Sequence, residues 1–419
     1  MLEKTILNSG LTILSEYRPE LPSFSLSFTL RSGSRAESAV DNGIHHLTEH
    51  MLFKGSDKYN LKSIAQISDR LGGALNAFTG KEITQFYIRA MDEKFPEAFD
   101  LLSDLILHAT FPAEEFKREV GVILQEIRET RDNPDDHAFD NFFLQVFPDH
   151  SLGFPIAGQE QHVASLNRDG VYRFYREAYS PDRLLLASAG NINHHDLVKK
   201  AEHLFGGLAS GRPRGFDFKP PVQAFRTAVK RNTALQQVYV IIGFEGIPKA
   251  SPLRFEMMLL NEILGMGMSS RLFQRIREEQ GLAYTVHSFA DGFSDCGLHI
   301  VYAVIEPDNI QPYLEAVRRE ILAIKKEGVS EEELARAKDH LKSSVILGLE
   351  SNVAKMMFHI NQELYHGREI KFGEILDTIN RCRREDIREL LKSSLNPGKA
   401  AVLFYGNVPD TGFEGYQFG

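Results

Sequence analysis

From Gly43 to Gly55 the chain reads Gly-Ile-His-His-Leu-Thr-Glu-His-Met-Leu-Phe-Lys-Gly. Asp41 and Asn42, just before this stretch, are candidate N-caps of a helix, and Gly55 is a candidate stop signal. About three turns of helix are therefore predicted between them.

Three polar side chains share one face of this helix. His46 and His50 lie one turn apart, where their imidazoles can converge on one ion, and Glu49 projects beside them. Two neutral ring nitrogens with a nearby carboxylate suit zinc. The order H-x-x-E-H, the inverse of the thermolysin-type H-E-x-x-H, is typical of the inverzincin proteases. The alternative interpretation is a pair of surface histidines on an amphipathic helix.

A catalytic zinc ion has three protein ligands and one open position, so the site needs a third ligand from elsewhere. A helix predicted to begin near Ala113 carries Glu119 and Glu126 seven residues apart, beside its apolar stripe. A carboxylate bordering a buried stripe is costly unless it is paired or binds a metal. Glu126 is therefore the candidate third ligand, and Glu119 the candidate partner that orients a histidine ligand. A solvated acidic helix is the alternative.

With its flanking residues, the motif resembles the pitrilysin (insulinase) family of zinc peptidases, in the short-chain branch that includes mitochondrial processing peptidase and its bacterial relatives. In that family a Glu some seventy-six residues after the second His is the third zinc ligand, and another Glu precedes it by seven. Glu126 and Glu119 occupy those positions. The resemblance implies one zinc ion per chain, held by His46, His50 and Glu126, with Glu49 as general base.

Two further segments acquire roles from the resemblance. In the family, substrate adds as an extra strand beside the metal, so Asn76, Ala77 and Phe78 are predicted to contact substrate. Arg277 and Tyr284 match an Arg and a Tyr that meet the substrate in the family, and they are predicted catalytic residues that hold substrate carbonyls or the oxyanion. Without the resemblance, the first segment would be an ordinary edge strand and Arg277 a surface charge.

The sequence pattern repeats at an offset near 216 residues. The alternating residues from Phe24 to Leu30 predict a half-buried strand, and those from Val238 to Phe244 predict its counterpart. At 419 residues the chain exceeds one ordinary core. We therefore expect an α+β fold of two homologous halves, each a mostly antiparallel sheet packed with helices, forming a clamshell around a chamber. The predicted domains are a catalytic zinc-binding half at 1–212, a linker at 213–228 and a degenerate repeat half at 229–419 that contributes substrate-site residues.

The composition of the chain limits the classes of binding partner and the cellular compartment that we expect. The net charge of −9 disfavours nucleic acid and mildly favours basic peptides as ligands. The chain shows neither a targeting pattern nor an apolar stretch long enough to span a bilayer, and two cysteines do not form a disulfide framework. We expect a cytoplasmic protein without nucleic-acid or membrane partners. Short-chain relatives work as pairs of chains, which suggests a homodimer.

The predicted function is that of a soluble zinc-dependent endopeptidase, which hydrolyses unfolded or short peptides inside a closed chamber. The alternative is a non-catalytic partner or scaffold subunit of the same fold. Retention of both histidines and both glutamates of the site favours the enzyme, because a non-catalytic subunit is expected to lose some of them.

Overall fold

The computed structural model of the chain describes residues 2–72, 75–209, 211–410 and 412–419. Its backbone separates into two compact units that each contain one sheet. Unit 1 comprises the residues up to 129 together with 154–219 and 348–369. Unit 2 comprises 130–153, 220–347 and 370–419. The predicted α+β class is confirmed.

The strands of unit 1 are β1 (Leu2–Ile6), β2 (Thr12–Tyr17), β3 (Ser23–Leu30), β4 (Leu75–Thr79), β5 (Thr84–Met91) and β6 (Leu184–Gly190). They form one sheet in the order β1-β2-β6-β3-β5-β4, in which β2 and β6 are parallel and the other pairs antiparallel. The mostly antiparallel sheet matches the prediction. In the part of the chain that the structure describes, strand β4 is at one edge and pairs only with β5.

The helices of unit 1 are α1 (Ile44–Leu52), α2 (Leu61–Leu71), α3 (Phe95–His108), α4 (Ala113–Asp132, whose last residues fall in unit 2), α6 (Glu160–Ser165), α7 (Arg168–Ala178), α8 (His194–Phe205) and α12 (Asn352–Asn361). The even-numbered positions of β3 supply apolar side chains to the core beneath them; Phe24 packs edge-on against Phe95 with ring centroids 5.6 Å apart. Leu47 and Met51 of α1 are fully buried in the same core. Their burial fixes the face of α1 that remains for the polar motif.

The strands of unit 2 are β7 (Thr227–Arg231), β8 (Val238–Glu245), β9 (Ala283–Gly292), β10 (Gly297–Ile305) and β11 (Ala400–Gly406). Its helices are α5 (Pro134–Val146), α9 (Arg254–Leu264), α10 (Ile310–Glu327), α11 (Glu331–Gly348), α13 (Phe372–Arg381) and α14 (Arg384–Ser393). The sheet order is β7-β11-β8-β10-β9, with β7 and β11 parallel. Within the described residues, no helix is both long and apolar enough to cross a bilayer.

The two halves of the sequence share part of their order of elements. Strands β6 and β11 are 216 residues apart at both ends, and β3 and β8 are 215 apart. The offset does not hold for the motif helix: α1 shifted by 216 would begin at 260, whereas α9 begins at Arg254. A constant offset of 216 residues therefore does not align the motif helix α1 with its counterpart α9.

The repeat also contains a reciprocal exchange of one helix. Helices α5 and α12 occupy equivalent places in the two halves of the sequence, yet α5 belongs to unit 2 and α12 to unit 1. Met356 and Ile360 of α12 are buried against β2 and β6, while Phe142 of α5 packs in the core of unit 2. The domain limits 1–212, 213–228 and 229–419 describe the sequence repeat and remain predictions, since the compact units cross them.

Candidate metal centre

The N-terminus of α1 is held by a side chain from the preceding loop. The predicted capping by Asp41 or Asn42 is wrong: the N-cap position is Gly43, which has a positive φ of 98° and no side-chain cap. Instead, the buried carboxylate of Glu37 accepts hydrogen bonds from the backbone N–H groups of Gly43 at 2.9 Å and His45 at 3.0 Å. A carboxylate there satisfies free N–H groups and opposes the positive end of the helix dipole. The loop therefore fixes the start of α1.

The structure brings His46 and His50 of α1 to Glu126 of α4. The ligand atoms of these three residues lie within 4.8 Å of one another. Oε2 of Glu126 is 3.9 Å from Nε2 of His46 and 3.7 Å from Nε2 of His50. Tetrahedral zinc with ligands at about 2.1 Å separates its ligand atoms by about 3.4 Å, so the three groups fit one ion after small side-chain adjustments. In the described part of the chain, no second group of three such residues is placed to hold a metal.

The imidazoles of His46 and His50 have pKa values shifted in opposite directions. Burial, followed by the neighbouring His50, lowers the pKa of His46 to about 4, so His46 is neutral near pH 7. Burial also works to lower the pKa of His50, but its hydrogen bond to Glu119 and the nearby carboxylates raise the pKa overall. A metal ion binds neutral imidazole, so binding at His50 competes with a proton.

Glu119 orients the imidazole of His50 through a hydrogen bond to its Nδ1 atom. Its Oε2 accepts a hydrogen bond from Nδ1 of His50 at 2.9 Å, which leaves Nε2 as the nitrogen that faces Glu126. Its Oε1 forms an ion pair with Nζ of Lys54 at 2.8 Å. Burial works to raise the pKa of Glu119, but the bonds to His50 and Lys54 hold it below the usual value. The sequence alone did not lead us to assign a role to Lys54. Its position just after the motif helix could have indicated one.

Glu49 lies beside the ligand set and is 8% exposed. Burial and, to a smaller extent, the Glu126 carboxylate raise the pKa of Glu49, against a lowering effect of the hydrogen bond from Thr79. The Thr79 hydroxyl donates that bond to Oε2 of Glu49 at 2.5 Å. Sequence reasoning did not single out Thr79, although it ends the strand that was assigned to substrate.

The edge strand β4 runs next to α1. Asn76 and Phe78 are exposed, whereas Ala77 is partly buried against the core of unit 1. The N–H of Ala77 donates to the side-chain oxygen of Asn76 at 2.8 Å. Within the described residues, β4 pairs only with β5, so its other edge has no strand partner there.

Arg277 and Tyr284 belong to unit 2, where they contact each other. The guanidinium of Arg277 lies 4.5 Å from the ring centroid of Tyr284 and 4.7 Å from that of Phe273. Tyr284 is 79% exposed. The residues Phe273–Glu278 form a π-helical turn, a local geometry that is frequent at functional sites.

Unit 2 has a side-chain contact between the two helices that correspond in order to α1 and α4. Nδ1 of His340 on α11 is 2.7 Å from Oε2 of Glu262 on α9. Burial raises the pKa of Glu262, and the partner His340 lowers it in part. This contact links α9 to α11 directly, with no metal ion needed between the two side chains.

Comparison with known proteins gives a consistent result. Residues 12–160 match the model of the insulinase family, peptidase family M16, and residues 165–341 match the model of the peptidase M16 inactive domain. A zinc protease of Bacillus subtilis (strain 168), YmxG, is 34% identical over 98% of this chain and 100% of its own length. A zinc protease of Rickettsia felis is 36% identical over 91% of this chain and 92% of its own length.

Solved structures share the fold. A protease from Helicobacter pylori has a TM-score of 0.89 at 19% identity, covering 97% of this chain and 99% of its own. A chain in Complex III2 from Candida albicans has a TM-score of 0.85 at 21% identity, covering 99% of this chain and 98% of its own. The relatives named as zinc proteases support a peptidase role. On the family matches and the full-length identity, this chain belongs to the insulinase family, peptidase family M16.

Proposed function

We propose that this chain is a zinc-dependent endopeptidase that cleaves unfolded or short peptides. The observation that carries the proposal is the convergence of His46, His50 and Glu126 from two helices, with the Glu49 carboxylate beside them. The donor set of two imidazoles and one carboxylate leaves a coordination position open for water or substrate. The side chains of His46, His50 and Glu126 are 17%, 18% and 40% exposed, so solvent reaches the centre.

Zinc held by His46, His50 and Glu126 would supply a Lewis acid for the scissile carbonyl and the attacking water. Glu49 would take the proton of that water and later deliver it to the leaving amine. In the metal-free site, burial raises the pKa of Glu49 above its usual value. Glu119 and Lys54 hold His50 in the tautomer that presents Nε2.

Substrate is proposed to bind as an extended strand on the free edge of β4. Backbone hydrogen bonds then hold peptides of varied sequence, and Asn76, Ala77 and Phe78 contact the side chains and backbone of the peptide. Arg277 and Tyr284 are proposed to hold substrate carbonyls or the oxyanion. A closed chamber, which restricts entry to unfolded chains, and a homodimer are parts of this proposal, as is the cytoplasmic location.

The second candidate is a non-catalytic partner or scaffold subunit. It is favoured by the structural likeness to a chain of Complex III2, since the fold occurs there within a larger assembly. It does not account for a complete ligand set with a hydrogen-bonded Glu49.

The substitution Glu49→Gln separates the two candidates, because it keeps the shape of the side chain and removes the base. We expect bound zinc to stay near one ion per chain while cleavage of a quenched basic peptide falls by about a thousandfold or more, in the range of losses seen for essential catalytic groups. Glu114→Gln, on the exposed first turn of α4, is the matched control. Unchanged cleavage by the Glu49→Gln protein would refute the assigned base, and absence of cleavage by the unaltered protein would favour the scaffold.

A further inference from the structure

Strand β4 has two different faces. Asn76 and Phe78 are on its exposed face, and Leu75 and Ala77 are partly buried against the core of unit 1. Side chains alternate along a strand, so Thr79 shares the face of Ala77. From that position its hydroxyl reaches across to Oε2 of Glu49 on α1 at 2.5 Å. The bond joins the last residue of the edge strand to the motif helix.

This bond restricts a side chain that otherwise has several rotamers. Among the residues that the structure describes, Thr79 is the one hydrogen-bond donor to Glu49. A carboxylate presents two oxygens, and a single directed bond to one of them sets the orientation of the other. Oε1 of Glu49 is thus left as the oxygen that is free to accept a proton.

We propose that Thr79 is a positioning residue for the general base, and that it couples the base to the strand on which the peptide is seated. The inference rests on the proposed function. In the proton-transfer step, Oε1 of Glu49 accepts a proton from water while the Thr79 hydroxyl keeps its own proton in the bond to Oε2. Because Thr79 belongs to β4, a peptide added to β4 is held in register with the same carboxylate that acts on it.

A purely structural role is the competing explanation, in which the bond merely fastens β4 to α1. The two roles differ in what they affect. A fastening role would alter zinc affinity, thermal stability and peptide affinity together, because all depend on the relative placement of α1 and β4. A positioning role would alter the chemical step and leave binding in place.

The test uses two substitutions at the same site. Thr79→Val keeps the branched shape and removes the donor, whereas Thr79→Ser keeps the donor. Thr84→Val is the matched control, because Thr84 pairs with Thr79 across the strands and its hydroxyl bonds to the backbone oxygen of Ser32. For each full-length protein, kcat and KM with a quenched peptide, zinc affinity by chelator competition and the melting temperature are measured.

For Thr79→Val we expect kcat to fall by about 10- to 100-fold, since small errors in the placement of a catalytic group have effects of this size. KM and zinc affinity should stay within about twofold of the control, a range that corresponds to less than one RT of free energy. Thr79→Ser should restore most of kcat. A Thr79→Val protein with the kcat of Thr84→Val, a Thr79→Ser protein as slow as Thr79→Val, or a parallel loss of zinc affinity would each overturn the positioning role.

A second measurement does not depend on activity. The melting temperatures of the metal-free Thr79→Val, Glu49→Ala and doubly substituted proteins form a cycle, and a direct bond makes the two effects non-additive. Additive effects would show that the residues do not interact. If Glu49→Gln leaves cleavage intact, the proposed function fails and the positioning role fails with it. If Glu49→Gln abolishes cleavage and Thr79→Val does not reduce kcat, only the role of Thr79 is overturned.

Discussion

Glu119 on α4 accepts a hydrogen bond from Nδ1 of His50 on α1 at 2.9 Å, and Lys54 balances its charge from the far side. The two helices are distant in sequence, so this contact forms only when α1 and α4 pack side by side. It prepares His50 to present Nε2 before any ion arrives.

Replacing Glu119 with Ala should weaken zinc binding by about 10- to 100-fold, the usual effect of losing the partner of a histidine ligand. The affinity is measured by competition with a chromogenic chelator. Glu114→Ala on the same helix is exposed and should bind zinc as the unaltered protein does. Equal affinities for Glu119→Ala and Glu114→Ala would show that the hydrogen bond does not prepare the site.

Metal analysis should find one zinc ion per chain, because one ligand set is present in the described residues. Chelation should abolish peptide cleavage, and added zinc should restore it. Glu126→Gln should release the ion, since an amide is a poor zinc ligand compared with a carboxylate. His340→Gln removes the imidazole that contacts Glu262 in unit 2 and serves as the control. Loss of zinc in the His340→Gln protein would indicate a second site that the structure does not show.

Placing a proline in the edge strand should block peptide addition. The N–H of Ala77 donates to the adjacent Asn76 side chain, so Ala77→Pro removes a donor from the free edge of β4 and not one used in its pairing with β5. We expect KM for peptides to rise by about tenfold or more, as one or more backbone hydrogen bonds are lost. Zinc content should not change. Ala77→Ser keeps the N–H and is the control; an unaltered KM in Ala77→Pro would place the peptide elsewhere.

His299 in β10 should make the free energy of unfolding depend on pH. It is fully buried, both ring nitrogens lack a partner among the described residues, and burial lowers its pKa to about 4. Above the unfolded pKa of about 6.5 the residue is neutral in both states. As the pH falls from about 6.5 to 4, His299 binds a proton in the unfolded chain but not in the folded chain. The folded state therefore loses stability in that pH range.

The size of this effect follows from the shift. Between pH 7 and pH 5, His299 should cost about 2 kcal/mol of stability. Urea unfolding of metal-free protein at the two pH values measures the loss, and His299→Leu should lose less by that amount, since leucine does not titrate. The same loss in both proteins would show that His299 is protonated or solvated in the folded state.

Sequence alone was sufficient for the local features. The helical period places His46, Glu49 and His50 together, so the motif needed no tertiary information. The same is true of the alternation that predicted β3 and β8.

What the tertiary structure decided are the contacts between segments far apart in the chain. Glu126 reaches the two histidines because α4 packs beside α1, and spacing alone left a solvated acidic helix as an equal interpretation. No periodicity of the sequence indicates three other features. They are the capping of α1 by Glu37, the ion pair of Lys54 with Glu119, and the exchange of α5 and α12. The reason is physical: periodicity records which face of an element is buried, whereas the identity of the partner depends on how the chain closes its long loops.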